Sequence, residues 1–329
     1  MTSVQAEARA FWLRTPGHGE IRAAALPEPG PDDVLVRTLR SGVSRGSETL
    51  VFRGGVPPGQ YGAMRAPFQE GEFPGPVKYG YLNVGTVEQG PPELCGRTVF
   101  CLYPHQQRYV VPIDALYPLP ETVPAPRAIL AANLETALNA VWDSGAAPGD
   151  RVAVVGGGSV GCLAGWLLGR MPGCSVELID PNPQRRPIAE ALGIAFAQPD
   201  AARADTDVVL HASGTAEGLA LALRLAAFEA TVCECSWYGT HTVPVPLGEA
   251  FHSRRLILKS SQVGSIAPSH RARWTLRRRM ELALTLLTDP ALDLLINSEG
   301  RLEDLPQLMQ RLARAPGDTI MHRVSYGAR

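Results

Sequence analysis

Short apolar runs alternate with helical patterns through the middle and second half of the chain. The apolar runs lie at residues 151–155, 175–180, 206–213, 230–239 and 255–262. Helical patterns follow the first three runs, at about residues 160–170, 183–193 and 215–228. Alternation of strands and helices at this spacing predicts a parallel, doubly wound sheet that helices cover on both faces.

The first 120 residues have a different texture. Glycine and proline are frequent there, and short β-rich runs such as 83–89 and 97–103 lie between them. Short strands broken by Gly and Pro turns predict an irregular all-β domain. From Pro124 the pattern becomes helical, over residues 128–146. The tail carries helical patterns at 274–288 and 302–313 and a final strand at 321–326.

Composition narrows the class of protein. The 329 residues suggest about two domains. A formal net charge of −1 argues against a nucleic-acid partner or an anionic membrane. The densest basic cluster, residues 277–279, is interpreted as the polar face at the start of a helix. The first residues hold no apolar stretch of signal-peptide length, so the sequence predicts a cytoplasmic protein.

The cysteines predict neither a zinc knuckle nor a redox motif, because none of them forms a Cys-x-x-Cys pair. Cys233 and Cys235 alternate within an apolar run, a pattern that places both on one face of a strand. We interpret them as small buried hydrophobic residues. The six positions are Cys95, Cys101, Cys162, Cys174, Cys233 and Cys235.

The strongest motif is a G-x-G-x-x-G pattern over residues 156–161, formed by Gly156, Gly157, Gly158, Ser159, Val160 and Gly161. It directly follows an apolar run and opens a helical pattern, the context that gives such a motif its meaning. Gly156 permits the tight turn, Gly158 lets a pyrophosphate approach the backbone, and Gly161 lets the helix and strand pack closely. The helix N-terminus offers free N–H groups and a partial positive charge to the phosphates.

Asp180 ends the second run, 19 residues after Gly161. An acidic residue at about this spacing accepts hydrogen bonds from the ribose hydroxyls of a dinucleotide. A carboxylate there repels a 2′-phosphate, which favours NAD over NADP. Arg185 and Arg186 can soften that repulsion, although we expect them on the exposed face of the next helix.

The β-rich start, this motif and the returning tail together resemble the medium-chain dehydrogenase/reductase superfamily. The resemblance covers nearly all of the chain and also rests on the PGDRVAVVG approach to the glycines. It implies a GroES-like β-rich catalytic domain over residues 1–123, completed by 268–329, and a Rossmann dinucleotide-binding domain over 124–267. It also implies an active site in the cleft between the two domains.

The zinc ligands of the superfamily's alcohol dehydrogenases are not matched. In SGVSRGSE, Ser44 stands where a cysteine ligand is found. In YGYLNVG, Tyr81 and Leu82 stand where a Gly-His-Glu segment has its histidine and its glutamate. Glu135 matches the third ligand, but a catalytic zinc needs three protein ligands. Only Cys95 and Cys101 fall in the region of the structural zinc. The chain therefore resembles a zinc-independent branch.

Another group must then stabilise or protonate the oxygen at the reacting carbon. Tyr81 is the first candidate, and packing into the vacated space is an equally open interpretation. Lys78 lies in the same segment and would lower the pKa of a nearby phenol, although a surface lysine is the commoner situation. His105 is a candidate for the substrate pocket or a structural histidine. Ser44 and Glu135 are candidates for a polar relay.

The resemblance also implies cofactor contacts beyond the glycine motif. Thr136 begins a helix that touches the nicotinamide. His211 and Ser213 end the third run and line the cofactor. Three residues after the fourth run lie where such sheets bind ligands; they are Ser236, Trp237 and Tyr238.

Three functions remain open. The first is an NAD-dependent dehydrogenase or reductase that acts on an alcohol or carbonyl of a small metabolite. The second is an NADPH-dependent quinone or enone reductase, which needs less activation of the oxygen. The third is a non-catalytic dinucleotide-binding or structural protein, since fold alone does not establish activity. By analogy with the superfamily we expect a homodimer joined through the edge segment 256–265.

Overall fold

The computed structural model describes residues 7–327 and contains two compact units. The first unit combines the described residues up to 132 with those from 284 onward, and the second spans residues 133–283. The domain boundaries expected at 123/124 and 267/268 stay predictions.

The elements follow one another in three stretches. The first stretch holds β1 Glu7–Thr15, β2 His18–Ala25, β3 Asp33–Val43, α1 Arg45–Phe52, β4 Glu70–Gly71, β5 Val77–Lys78, β6 Asn83–Gln89, β7 Thr98–Cys101, β8 Arg108–Pro112, β9 Tyr117–Pro118 and α2 Ala125–Ala128. The second holds α3 Ala131–Ser144, β10 Arg151–Val155, α4 Ser159–Leu168, β11 Ser175–Ile179, α5 Arg186–Ala191, β12 Ala195–Ala197, β13 Thr206–His211, α6 Ala216–Leu225, β14 Ala226–Glu234 and β15 Ile257–Ser260. The last holds α7 Leu276–Leu286, β16 Ile296–Arg301, α8 Leu305–Arg314 and β17 Met321–Ser325.

The first unit contains a mixed sheet and a smaller antiparallel sheet. The mixed sheet has the order β16-β17-β3-β6-β7-β9, with β8 also paired to β3, and the smaller sheet has the order β2-β1-β5-β4. Val34 and Val36 of β3 point into a core with Val99 and Tyr109. Leu35 and Arg37, which alternate with these valines along β3, are only partly buried, as the two-residue period of a strand requires. The predicted β-rich first domain is confirmed.

The second unit is a six-stranded parallel sheet with the order β12-β11-β10-β13-β14-β15. Its core includes Ala153, Val209, Leu223 and Val232, each less than 2% exposed. The predicted doubly wound parallel sheet is confirmed. The strand order reverses beside β10, and ligands of such sheets bind outside the carboxyl ends of the strands at this point.

Several predicted element boundaries are wrong. The helix expected over 215–228 ends at Leu225, because the next residues pair with the neighbouring strands as β14. Strand pairing therefore overrides the high helix propensity of the alanines there. β14 ends at Glu234, so Cys235 does not share a strand face with Cys233. The helix expected from residue 183 begins with a 3-10 turn and becomes α-helical only at Arg186.

Two further observations concern the helices. The sequence did not predict α1, whose first residue follows Ser44. Among residues 7–327, no helix has the length and apolar character needed to cross a membrane.

Candidate functional site

The glycine motif forms a tight turn between β10 and α4. Gly156 has a φ of +111°, and a Cβ on it would lie 2.6 Å from the backbone nitrogen of Ser213. A Cβ on Gly161 would overlap the carbonyl oxygen of Gly156. Glycine is therefore required at both positions by close packing. Gly158 is the N-cap of α4, so the helix N-terminus opens directly at the turn.

Asp180 lies against this turn at the end of β11. Its Oδ2 accepts a hydrogen bond from Gly157 N at 2.7 Å, and its Oδ1 accepts one from Asn182 N at 2.8 Å. A carboxylate has about four acceptor sites, so both oxygens retain capacity for ribose hydroxyls. The turn and Asp180 fit the pyrophosphate and ribose of a dinucleotide.

The expectation that Arg185 is exposed is wrong. Arg185 is 3% exposed, and a Cβ on Gly157 would lie 3.0 Å from its Cγ. Its side chain therefore packs beside the turn and Asp180. Arg186 is exposed, and its guanidinium lies 4.8 Å from the ring centroid of Phe196.

His211 links the ends of β13 and β14. Its Nδ1 lies 2.6 Å from Glu234 Oε2, and its Nε2 lies 2.6 Å from Ser213 Oγ. Tyr238 donates to the same Glu234 oxygen at 2.9 Å. Burial raises the pKa of Glu234, but the hydrogen bond and charge of His211 and the bonds to Ser236 bring it below its usual value.

The Ser213–His211–Glu234 order resembles a hydrolase triad, but its surroundings favour a structural role. Ser213 Oγ also lies 3.0 Å from Thr215 Oγ1, and a Cβ on Gly218 would overlap it. The hydroxyl thus lies against the first turn of α6.

Three of the predicted cofactor residues come together at the carboxyl ends of β13 and β14. They are Ser213, Ser236 and Tyr238. Ser236 N donates to Glu234 Oε1 at 2.7 Å, and Ser236 Oγ accepts from Gly214 N at 3.1 Å. Ser159 and Val160 form the first turn of α4, Thr136 lies in α3, and Trp237 is half-buried after β14.

Glu135 pairs with a buried arginine. Arg279 Nε lies 3.1 Å from Glu135 Oε1, and Arg279 is 1% exposed. Its guanidinium also donates to Asn139 Oδ1 and to the carbonyl oxygens of Val263 and Ser265. The interpretation of residues 277–279 as a wholly polar helix face is therefore wrong for Arg279. Burial raises the pKa of Glu135, and Arg279 opposes that shift.

Glu48, which the sequence did not single out, connects three predicted residues of the first unit. His105 Nε2 lies 2.9 Å from Glu48 Oε2, and Ser44 N donates to Glu48 Oε1 at 2.8 Å. His105, Glu48 and Ser44 are 1%, 3% and 5% exposed. The charge of the Glu48 carboxylate also acts on the Tyr81 phenol and raises its pKa.

Tyr81 is held in its protonated form. Burial and then the Glu48 carboxylate raise its pKa to about 12, and the hydrogen bonds from Ser44 and Ser47 only partly oppose them. A phenol with this pKa is a proton donor at neutral pH. The Tyr79 ring lies edge-on to Tyr81 with centroids 5.9 Å apart, and burial also raises the pKa of Tyr79.

Lys78 takes a different position from the expected one. It is 1% exposed rather than on the surface, and it donates to Gln106 Oε1 at 2.5 Å and to Glu70. The phenol beside Lys78 is that of Tyr103, whose Oη lies 3.4 Å from Lys78 Nζ. Burial lowers the pKa of Lys78, and its partner Glu70 raises it less. The expected pKa-lowering effect of Lys78 on Tyr81 is therefore wrong.

The residues at the family's zinc-ligand positions do not fit a catalytic zinc. Ser44 and Tyr81 offer a neutral hydroxyl and a phenol of raised pKa, Leu82 is fully buried and apolar, and Glu135 is already paired with Arg279. Such a metal takes cysteine, histidine or carboxylate ligands. Within residues 7–327, no three such side chains converge as a metal site.

Solved structures share this fold over almost the whole chain. A proposed zinc-binding dehydrogenase from Sinorhizobium meliloti 1021, bound to NADP, has a TM-score of 0.78 and 21% identity, covering 98% of this chain and 100% of its own. The 2R,3R-butanediol dehydrogenase of Bacillus subtilis has a TM-score of 0.76 and 16% identity, with 97% and 100% covered. A short chain alcohol dehydrogenase from Escherichia coli CFT073, complexed with NADH, has a TM-score of 0.77 and 15% identity. The match covers 97% of this chain and 99% of that protein.

No protein-family model matches the sequence. At these identities the likeness establishes the fold, which is that of medium-chain dehydrogenases with GroES-like and Rossmann domains.

The residues that sequence reasoning missed are polar partners of the predicted ones. Each of them forms a hydrogen bond with a predicted residue or with a neighbour of one. They are Glu48, Ser41, Tyr326, Glu234 and Arg279. One signal was present for Glu48, which follows Ser44 by four residues, about one helical turn. The others come from separate strands and helices.

Proposed function

We propose that this protein is a zinc-independent oxidoreductase that transfers hydride between a nicotinamide dinucleotide and the alcohol or carbonyl carbon of a small metabolite. The observation that carries the proposal is the glycine turn at the switch point of the parallel sheet, with Asp180 bonded to Gly157. The neighbours that bind NADP or NADH support a cofactor of this class.

The residues of this chain would have the following roles in binding and proton transfer. The N-terminus of α4 and the N–H groups of the turn bind the pyrophosphate, and Asp180 accepts from the ribose hydroxyls. Hydride transfer is the chemistry that a bound nicotinamide would supply. Tyr81 donates a proton to the carbonyl oxygen, or accepts one in the reverse direction, in the role that zinc fills as a Lewis acid elsewhere.

We propose NAD as the preferred dinucleotide, because Asp180 repels a 2′-phosphate. A specific observation favours the second candidate, an NADPH-dependent quinone or enone reductase. Arg185 is buried beside Asp180 and the turn, where it can partly neutralise that carboxylate. The choice between the two functions therefore depends on how these two side chains share the ribose site.

Titration with NADH and with NADPH, followed by nicotinamide fluorescence, tests the proposal. Tighter NADH binding supports the dehydrogenase and directs the substrate search to alcohols and carbonyls. Tighter NADPH binding that Arg185→Ala abolishes supports the enone or quinone reductase. If neither binds, the proposed oxidoreductase function is refuted and the alternative of a non-catalytic structural protein stands.

Zinc independence has its own test. We expect elemental analysis of the purified protein to find no stoichiometric zinc, and chelator treatment to leave turnover unchanged. Tightly held zinc at one atom per chain would overturn this part of the proposal.

We further propose a homodimer joined through β15. This strand is an edge of the parallel sheet, and Ile257 and Leu258 on it are 54% and 36% exposed. An exposed edge strand with apolar side chains is a template for pairing with a second chain. A cytoplasmic location stays a prediction.

A further inference from the structure

His211 lies fully buried at the carboxyl end of β13, between a carboxylate and a hydroxyl. Its Nδ1 lies 2.6 Å from Glu234 Oε2, and its Nε2 lies 2.6 Å from Ser213 Oγ. A carboxylate only accepts hydrogen bonds, so the Nδ1–H of the imidazole donates to Glu234. In the neutral imidazole Nε2 is therefore the acceptor, and the Ser213 hydroxyl donates to it.

The hydrogen bonds continue from Ser213 to Thr215, the N-cap of α6. The two hydroxyl oxygens lie 3.0 Å apart, and Thr215 Oγ1 also accepts from Gly218 N at 3.0 Å. The hydrogen of Ser213 is committed to His211, so the hydrogen between the two hydroxyls comes from Thr215. A neutral histidine therefore draws both hydroxyl hydrogens inward, away from the exposed side of Thr215.

An imidazolium reverses this chain of hydrogen bonds. Both ring nitrogens of a charged histidine donate, so Nε2–H donates to Ser213 Oγ. The Ser213 hydrogen then turns to Thr215 Oγ1, and the Thr215 hydrogen turns outward. Nδ1 donates to Glu234 in both states. Protonation of His211 thus loses none of these hydrogen bonds, and it adds a positive charge and an outward donor.

The same segment forms the wall of the sheet edge opposite the glycine turn. β13 lies beside β10 where the strand order reverses, and dinucleotides bind across the crevice at this point. The segment and the turn approach closely, because a Cβ on Gly156 would lie 2.6 Å from Ser213 N. Gly214 is fixed from the other side by its N–H bond to Ser236 Oγ. A pyrophosphate on the turn therefore carries its negative charge at the edge of the sheet where His211 ends β13.

We propose that His211 and Glu234 are positioning residues for the dinucleotide, and that His211 takes up one proton when the dinucleotide binds. The imidazolium and the outward hydroxyl favour the negative pyrophosphate, and Glu234 holds the ring and stabilises its charge. The proton passes from solvent to Nε2 of His211, and no covalent bond of the dinucleotide changes. The inference rests on the proposed function, in which the glycine turn binds the pyrophosphate.

The titratable groups that face His211 come from β14 and the segment after it. Glu234 contacts Nδ1, and the Tyr238 hydroxyl lies 3.4 Å from the same nitrogen. Burial raises the pKa of Tyr238, and the pKa of Glu234 lies below its usual value because its bonds outweigh burial, whereas imidazole ordinarily changes charge between about pH 5 and 8. On the other sides, α6 presents Gly218 to Nε2, and β10 pairs Val155 with His211. The same segments also carry Cys235 and the exposed Glu217.

NADH binding across pH tests the inference. NADH is the probe because it lacks a 2′-phosphate, whose own charge would change near about pH 6. Nicotinamide fluorescence gives Kd from about pH 6 to 8.5, and we expect Kd to rise with pH by at most about tenfold per unit, the limit for one proton. His211→Gln should bind more weakly in the acidic part of this range and show no dependence on pH. Glu234→Gln should bring the rise of Kd to lower pH, because the imidazolium has lost its carboxylate.

Calorimetry counts the proton directly. Titrations with NADH in two buffers of different ionisation enthalpy should show uptake of up to about one proton per chain in the natural protein and none in His211→Gln. His252→Gln removes an exposed histidine of the same unit and should keep the natural proton count. A role limited to packing would lower affinity equally at every pH, so the pH profile separates it from the proposed role.

Failure of this inference and failure of the proposed function give different results. NADH binding without proton uptake in the natural protein, or uptake that persists in His211→Gln, overturns the inference and leaves the proposed function standing. No NADH binding by the natural protein at any pH contradicts the proposed function, and the inference falls with it. If His211→Gln does not fold, the proton count of the natural protein and the Glu234→Gln profile decide the question, and an unshifted profile overturns the inference.

Discussion

The guanidinium of Arg279 and the carboxylate of Glu135 form an ion pair of 3.1 Å in which both side chains are buried. Through the same guanidinium, α7 is tied to α3 and to the backbone that follows β15 at Val263 and Ser265. Glu135 thus has a permanent internal partner. Its role in this structure is to fasten three segments of the second unit.

Removal of the arginine should be strongly destabilising. We expect Arg279→Met to lower the free energy of unfolding by about 3–5 kcal/mol, because it leaves a buried carboxylate without its partner. Urea denaturation measures the loss. Arg277→Met, two residues away and exposed beside Glu281, should change stability by no more than about 0.5 kcal/mol. Equal losses in the two variants would refute the role of the buried pair.

His322 should make the protein sensitive to acid. Its pKa is lowered from 6.5 to about 4 by burial first and then by Arg311 and His105. The unfolded chain therefore binds this proton more readily, so the stabilisation is complete above pH 6.5 and is lost as the pH falls toward 4. The integrated loss is about 3 kcal/mol. Urea denaturation across this range should show a shallower decline in His322→Asn, whereas exposed His18→Gln should keep the natural slope.

Gly161 should be essential for the dinucleotide. A Cβ there would overlap the Gly156 carbonyl oxygen, so Gly161→Ala must push α4 away from the turn. We expect NADH affinity to fall about tenfold or more, ~1.4 kcal/mol, in fluorescence titrations. Gly248→Ala, in the same unit with open space around its Cβ, should bind NADH normally. Normal binding by Gly161→Ala would remove the basis for placing the pyrophosphate here.

The edge strand should control assembly. We expect light scattering after size exclusion to find a dimer, and Leu258→Glu to convert it to a monomer by placing a charge in the β15 pairing surface. Leu276→Glu changes a more exposed leucine, 49% against 36% for Leu258, on α7 and should leave the dimer intact. A dimer that survives Leu258→Glu must use another surface.

Much of the fold was predictable because it rests on local patterns. The parallel sheet follows from continuous apolar strands with helices between them, and the glycine turn follows from spacing within six residues. Element ends were less predictable. Ala226 could continue α6 by propensity, and only its pairing with Thr206 on another strand makes it part of β14.

The sequence by itself determined the two-part architecture and the glycine turn with Asp180 at the end of the next strand, since each depends on residue types at short, readable spacings. Only the tertiary structure decided which polar groups meet: Glu48 with His105, Arg279 with Glu135, and Lys78 with Gln106 rather than Tyr81. The physical reason is that a buried charge must find a hydrogen-bonding partner, and the partner is chosen by how distant segments pack, which no local pattern records.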